Sequence, residues 1–320
     1  MAALLSAFLI SACAKIEMPA HLKPLSRDAM MLLGAKKMAS DTPIFIRIFK
    51  AESELEVWKQ RLDGRFYHFK TYPICTWSGG LGPKLKQGDK QAPEGFYRVN
   101  RHRMNPNSKF HLSFNLGYPN RFDKAHRRTG NFLMVHGDCS SAGCYAMTDT
   151  LMEEIYALAR EAFIGGQSEF WVHAFPFRMT DEAMARHADS KHIAFWNTLK
   201  PAYDLFERNR IPPPIAVCER RYVVNAIAPK SRKLKPHGRC PRFTTPDVTP
   251  FDTASEDPAS RVVVPGVKKR LAMLQYSGST MMGLTKTQPR RFSPRPSWWS
   301  GAAAPRTPFD ATQYFAGQQR

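Results

Sequence analysis

The chain has 320 residues, room for one large domain plus extras, and about 200 folded residues bury roughly 70% of the surface the unfolded chain exposes. Its 47 Lys and Arg against 27 Asp and Glu leave a net charge of +20. That excess favours an anionic partner (nucleic acid, a phospholipid surface or an acidic polymer) without choosing among them, and the apolar N-terminal run, Met1 to Cys13, is too short to cross a bilayer as a helix.

Met1 to Cys13 carries no charged residue and looks like the hydrophobic core of a secretory signal peptide. Ile10-Ser11-Ala12-Cys13 also resembles a lipobox, in which Cys13 is lipidated and becomes the mature N-terminus. No Lys or Arg precedes the run; the first is Lys15. Residues 14–40 form a lead-in with a helical patch at Asp28 to Lys37. Pro43 to Phe49 is dense in β-branched and aromatic residues and reads as a strand. Glu54 to Lys59 reads as a second, Asp63-Gly64 as a hairpin turn and Arg65 to Ile74 as a third. These three predict an antiparallel meander.

Cys75 to Lys90 is a glycine-rich loop. It lacks a Gly-Lys-Ser/Thr pattern and a following helix, so a nucleotide-binding reading is discarded. Strands are predicted at Phe96 to Asn100 and Phe110 to Leu116. A basic loop, Pro119 to Gly130, separates them from an apolar run, Phe132 to Val135, read as a buried strand. Helices are expected at Leu151 to Phe163, Asp181 to His187 and Lys191 to Arg208. In the last, Ile193, Trp196, Leu199, Tyr203 and Phe206 recur every three or four residues and make an apolar face. Phe170 to Phe175 reads as a strand, and Val217 to Val224 as a last short element. The folded domain is expected over 41–225. Residues 226–320 are rich in Pro, Ser, Thr, Lys and Arg and read as a largely disordered basic tail, with Val262 to Leu274 as a short element and Trp298 and Trp299 as incidental aromatics.

The chemistry is concentrated at His136-Gly137-Asp138-Cys139-Ser140-Ser141-Ala142-Gly143-Cys144-Tyr145-Ala146-Met147-Thr148-Asp149. A histidine closes a strand, and a loop of small residues leads to Gly143-Cys144, read as opening a helix. A thiol at a helix start is favoured as thiolate by the partial positive charge there. Its free N–H groups can hold an oxyanion, and the histidine supplies a general base. That pattern is the logic of a cysteine acyl-transfer enzyme.

The stretch resembles the L,D-transpeptidase catalytic (YkuD) domain. The fit is closer to its YafK-like branch, whose motif runs His-Gly-Asp/Ser-Cys-x-Ser-x-Gly-Cys-Tyr-Ala-Met-Thr-Asp. Ile48-Phe49-Lys50, Leu55 to Trp58, Lys70 to Cys75, Gln91 to Tyr97 and Met104 to Asn107 match that branch too. The resemblance implies a fold that is mainly β with α, a β-sandwich or barrel with flanking helices. It implies a nucleophile Cys144, a base His136, and Gly137 and Gly143 as parts of the catalytic turn. Substrate contacts are expected from Ser141, Tyr145 and Arg128, the last as a carboxylate-binding cation. The implied substrate is a peptidoglycan stem peptide cut at the L-centre of meso-diaminopimelate through a Cys144 thioester. An amine acceptor makes the enzyme a transpeptidase; water makes it an amidase that releases a Braun-type lipoprotein linked to peptidoglycan. No cofactor and no metal are implied, and the expected location is the periplasm. Against the wider family, Ala142 stands where a histidine is usual, the arginine after the cysteine is absent, and the gap from His136 to Cys144 is short.

Rival readings are a zinc site of His136, Cys139 and Cys144, Cys139 as the nucleophile, a cell-wall-binding protein without catalysis, and a nucleic-acid-binding protein. The last lacks any binding motif with base-stacking aromatics, so no specific nucleic acid is expected and the tail is read at most as an anionic-surface contact. Excluding Cys13, five cysteines leave at least one thiol free. Cys144 is the natural candidate; pairing among Cys75, Cys139, Cys218 and Cys240 is left open.

Overall fold

The computed structural model describes residues 18–229 and 234–252. At its centre β1 (Ile44–Phe49) is buried at every position, because both faces of its sheet are covered. Ile44, Ile46 and Ile48 point into one core, and Phe45 and Phe49 into two clusters on the opposite face. This is the two-residue period of a strand. β2 (Glu54–Gln60) and β3 (Phe66–Pro73) complete the expected antiparallel meander. On the other flank β1 pairs in parallel with β10 (Glu169–Phe175), which pairs antiparallel with β5 (Gly95–Asn100). The first sheet therefore runs β3-β2-β1-β10-β5.

A second five-stranded sheet runs β4-β9-β8-β7-β6, built from β4 (Thr76–Trp77), β6 (Met104–Asn105), β7 (Ser113–Asn115), β8 (Met134–His136) and β9 (Tyr145–Ala146). Phe114, Val135 and Tyr145 form one row across it and join the isoleucines of β1 in the principal core. α1 (Arg27–Ala35) and α3 (Asp149–Ile164) add Leu32, Leu33, Met152, Ile155 and Leu158 to the same core. Ser26 caps α1 by accepting from the Ala29 N–H, and Thr148 caps α3 by accepting from the Leu151 N–H. On the far face of the first sheet lie α4 (Asp181–Arg186) and α5 (Ile193–Asn209). α5 packs there through Trp196, Leu199, Tyr203 and Phe206, the apolar face read from its spacing. The fold is thus mainly β with α: two mixed sheets sharing one core, with flanking helices.

Some expectations are corrected. The basic loop at 119–130 contains a helical turn, α2 (Arg121–Ala125), fixed by a capping box between Asn120 and Asp123. The strand expected at Phe132 to Val135 starts later, at Met134, and Phe132 is 68% exposed. The last element is a hairpin, β11 (Ile215–Cys218) and β12 (Arg221–Val224). The start of the tail is held against the domain. Cys240 is disulfide-bonded to Cys218, Ile227 bridges Thr244, and the Phe251 N–H donates to Arg208 O. The signal-peptide and lipobox readings at Met1 to Cys13, the element at Val262 to Leu274 and Trp298-Trp299 lie outside the described residues.

A buried charge network braces the first sheet. Arg47 donates to both Glu56 and Glu207, while Glu56 also accepts from Trp58 Nε1 and pairs with Arg178. Burial alone would raise the Glu56 carboxyl, but Arg47 and Arg178 prevail and hold it at about 2. A carboxyl depressed in the folded state contributes stability that is present above its unfolded value and is lost as pH falls through the folded one. The melting temperature of the protein is therefore expected to fall between about pH 4.5 and about 2, and Glu56→Gln should flatten that dependence. Thermal melts across this acid range check it; parallel curves for the two proteins would contradict the assignment.

Candidate active site

The two residues expected to do the chemistry sit on adjacent strands. β8 and β9 pair in parallel, with Val135 beside Tyr145 and His136 beside Ala146. One step earlier Cys144 comes beside Met134, and the Met134 N–H donates to Cys144 Sγ at 3.4 Å. Register partners share a face, so Cys144 and His136 lie on the side of the sheet opposite the core row of Phe114, Val135 and Tyr145. Strands about 4.8 Å apart and a two-residue offset of about 6.6 Å put their Cα atoms roughly 8 Å apart. The two side chains are not hydrogen-bonded to one another here; the thiol instead donates to Phe132 O at 3.6 Å.

His136 is buried, and its Nδ1 hydrogen-bonds the Gly137 carbonyl at 2.6 Å. A carbonyl only accepts, so Nδ1 carries the proton and Nε2 keeps its lone pair. Burial lowers the imidazole below its ordinary value, against the Gly137 hydrogen bond and the Asp138 charge. The ring stays neutral and basic around pH 7. Phe110 lies against it, ring centroids 4.8 Å apart. Burial raises the Cys144 thiol, opposed by the Met134 N–H and the charge of Lys84.

The connection between them is a clamped loop. Ser141 Oγ accepts from the N–H groups of Gly143 and Cys144, at 3.3 and 3.1 Å, and donates to Cys144 O at 2.8 Å. Gly143 has φ +123°, a conformation side chains disfavour, and a Cβ there would meet Leu133 Cδ1 at 3.4 Å. Asp138 and Cys139 are both left-handed, with φ of 66° and 39°. They are held by a Cys75–Cys139 disulfide, by Cys139 N–H donating to Met147 O and by Asp138 N–H donating to Asp149 Oδ1. Closing a loop of 64 residues confers roughly 4 kcal/mol in the chain-entropy account.

One expectation and two rival readings are overturned here. Cys144 does not open a helix: strand β9 comes directly after it, and α3 begins only at Asp149. Cys139 is consumed by its disulfide, which removes it both as a rival nucleophile and as a zinc ligand with His136 and Cys144. Cys144 is the free cysteine among the described residues.

The expected substrate contacts fare differently. Ser141 shapes the turn at the thiol. Tyr145 is fully buried, and its hydroxyl donates to Pro93 O at 2.7 Å, so it belongs to the core. Arg128 donates to the buried Asp123 at 2.8 Å, and its guanidinium lies over Phe122 and Phe195. Burial pushes the Asp123 carboxyl up to about 6 against the pull of Arg128. Arg128 is thus engaged in an internal ion pair with Asp123. Two residues beside the site, the exposed Phe110 and Phe132, escaped the sequence reading as site residues. Nothing in their sequence context signals proximity to Cys144.

Two mixed sheets on one core, with a free cysteine and a tautomer-locked histidine on neighbouring strands, are matched by kinship in sequence. The pattern of the L,D-transpeptidase catalytic domain (YkuD) matches residues 44–165. The protein named "Putative L,D-transpeptidase YafK" of Escherichia coli K12 is 42% identical over 212 residues, spanning 66% of this chain and 85% of that protein. The same holds for its counterpart in E. coli O157:H7. The chain belongs to the L,D-transpeptidase (YkuD) family. Among solved structures, it is similar to the helical cell shape determining protein Pgp2 of Campylobacter jejuni, with TM-score 0.34 and 17% identity over 59% of this chain and 79% of that one. It is also similar to Bd1075 of Bdellovibrio bacteriovorus, with TM-score 0.30 and 17% identity over 60% and 64%.

The Arg128–Asp123 pair yields a prediction that separates structure from binding. Removing one partner of a buried pair costs roughly 3–5 kcal/mol. Arg128→Ala should therefore lower the stability to denaturant by about that amount, while KM for a peptide substrate stays within about twofold once the protein is folded. Urea titration and steady-state kinetics check it; a raised KM at unchanged stability would return Arg128 to the substrate.

Proposed function

We propose that this protein is a cysteine acyl-transferase of the cell wall acting on peptidoglycan stem peptides. The observation that carries the reading is the pairing of β8 with β9. It sets the free Cys144 and His136 on one face, with the histidine's Nε2 left basic by the Gly137 hydrogen bond. His136 Nε2 takes the thiol proton. Sγ attacks the amide carbonyl at the L-centre of meso-diaminopimelate, the C–N bond breaks, and His136 returns the proton to the leaving amine. The product on the enzyme is a Cys144 thioester. An approach of the two side chains on substrate binding fits this scheme, since catalytic hydrogen bonds are often long before substrate arrives.

The N–H groups of Gly143 and Cys144 converge on one oxygen, Ser141 Oγ. Two donors aimed at a single acceptor is what a tetrahedral oxyanion requires, and in this reading the oxyanion takes the place of that hydroxyl. Gly137 acts through its carbonyl as the orienter of His136. The second step is attack on the thioester by an amine (L,D-transpeptidation) or by water (an amidase that releases peptidoglycan-linked lipoprotein). The work takes place in the periplasm. Two disulfides among the described residues support an oxidising compartment. Lipidation at Cys13 and surface contact through the basic tail belong to the same reading.

The test is incubation of the protein with peptidoglycan carrying covalently linked lipoprotein, followed by mass spectrometry of the enzyme and the soluble products. Cys144 acyl adducts and free lipoprotein or exchanged stem peptides are expected. Cys144→Ala should lower the rate by at least ~10³-fold; products that persist with this variant would exclude the thioester. Product masses separate water from amine. A second expectation concerns pH. His136 acts as neutral imidazole and its value lies below 6.5, so the acid limb of kcat/KM should fall below pH 6.5. An acid limb centred clearly above 6.5 would remove His136 as the base.

A further inference from the structure

Among the described residues, the His136 imidazole makes one hydrogen bond, from Nδ1 to the carbonyl of its own neighbour Gly137 at 2.6 Å. One hydrogen bond fixes a direction, not a ring plane. The remaining contact comes from the strap ahead of β7, Ser108 to Leu112. Gly137 N–H donates to both Phe110 O and Leu112 O, at 3.1 Å each, so the peptide whose carbonyl holds the imidazole is itself held by the strap. The packing there is close: a Cβ on Gly137 would lie 3.0 Å from His111 Cβ, 3.2 Å from Phe110 O and 2.5 Å from Asp149 Oδ1. The Phe110 ring then lies on the imidazole, centroids 4.8 Å apart and planes inclined by 36°.

His111, between the two accepting carbonyls, is left-handed with φ 63°, a conformation disfavoured for a residue with a Cβ. It is anchored at its far end: its Nε2 lies 2.8 Å from Glu153 Oε1 on α3, and Lys23 donates to the same oxygen. The kink delays the start of β7 to Ser113 and leaves Phe110 outside the core. Phe110 is 44% exposed, whereas His136 against it is 3% exposed. A large apolar ring left so far in water gains little from core packing; the group it covers is the imidazole. The other titratable groups around the histidine are Asp138 on its own loop, Cys144 beside β8, and, behind Gly137, His111 with Asp149 and Glu153 of α3.

We propose that Phe110 is a positioning residue of the base: its ring, carried onto the imidazole by the left-handed His111, sets the plane of His136 and shields it from water. The proposal rests on the reading of His136 as the general base. Tilted and offset ring pairs are the favoured arrangements of aromatic side chains, and an apolar cover disfavours the charged imidazolium. The histidine is thereby kept neutral, with Nε2 open to the thiol proton. Phe110 itself exchanges no proton and touches no reacting atom; it acts through the ring it covers.

The experiment compares the full-length protein with Phe110→Ala, Phe110→Gln and Phe110→Tyr. The titration of His136 is followed by NMR of the imidazole carbons in histidine-labelled protein, its signal assigned with His136→Gln, and kcat and KM are measured alongside on peptidoglycan stem peptides. In Phe110→Ala the His136 midpoint should rise by at least about half a pH unit, toward 6.5. His68 in β3, held at about 4, should stay in place. The expected kinetic change is a fall in kcat of about tenfold with KM within about twofold. Phe110→Tyr, which keeps the ring, should track wild type throughout. A His136 midpoint that keeps its wild-type value in Phe110→Ala would overturn the proposal. So would an equal rise at His68, which marks a loosened fold, or a Phe110→Tyr protein as impaired as Phe110→Ala. If thermal melts show Phe110→Ala unfolded, Phe110→Gln, which keeps side-chain bulk without the apolar ring, is read in its place with the same expectations. The titration needs no substrate, so a protein inactive on peptidoglycan whose His136 midpoint moves as expected refutes the peptidoglycan reaction and leaves the role of Phe110 standing.

Discussion

The parallel pairing of β8 with β9 governs the geometry of the site. These strands are short, three and two residues, and joined by only a small loop, although parallel strands usually need a long crossover. A loop this short must double back sharply. It does so through left-handed Asp138, Cys139 and Gly143, conformations of which only the glycine's is cheap. The disulfide to Cys75 and the hydrogen bonds to Met147 and Asp149 offset that strain. The compression leaves the thiol and the imidazole on one face, two residues apart along the sheet.

A second constraint stands behind the first. Lys50 and Glu94 form an ion pair with no exposure on either side. Lys50 Nζ reaches the carbonyls of Gly80, Gly82 and Ala92 as well as Glu94, and Glu94 accepts from Gly82 N–H and Trp196 Nε1. Burial lowers the lysine and Glu94 opposes it. A buried pair contributes only when its remaining donors and acceptors are satisfied, and here the Gly80 and Gly82 carbonyls and the Gly82 N–H of the glycine-rich loop do much of this. The pair therefore acts on the loop's shape: it ties a segment of almost no regular structure to the end of β1 and to α5. The loop then forms a wall against the nucleophile's turn, with Ser78 beside Ser141 and Gln91 beside Gly143.

These arrangements share a physical pattern. Charged side chains on the inner parts of the fold are spent on one another, as in Arg47 with Glu56, Arg128 with Asp123 and Lys50 with Glu94. A formal charge of +20 thus says little about the cations beside the site. Arg128, conspicuous in sequence, is neutralised inside the fold, and Lys84, inconspicuous in a loop, is likewise paired with Asp89.

Much of this protein is set by local order along the chain. The meander of β1 to β3, the apolar face of α5 and the strand character of β5 and β10 come from side-chain periodicity, which reports which face a core must cover. The His136 to Cys144 motif, with its resemblance to the L,D-transpeptidase family, was legible because its residue types and spacing are contiguous. The conformation beyond that cysteine was not: Tyr145 and Ala146 extend into a strand because β8 and β4 are there to pair with them, and only the assembled sheet provides those partners. The fate of Cys75, Cys139, Cys218 and Cys240 and the burial of Tyr145 depend on segments far apart in sequence. Local propensity carries no information about such contacts, since each is decided by which surfaces meet when the two sheets close on their common core.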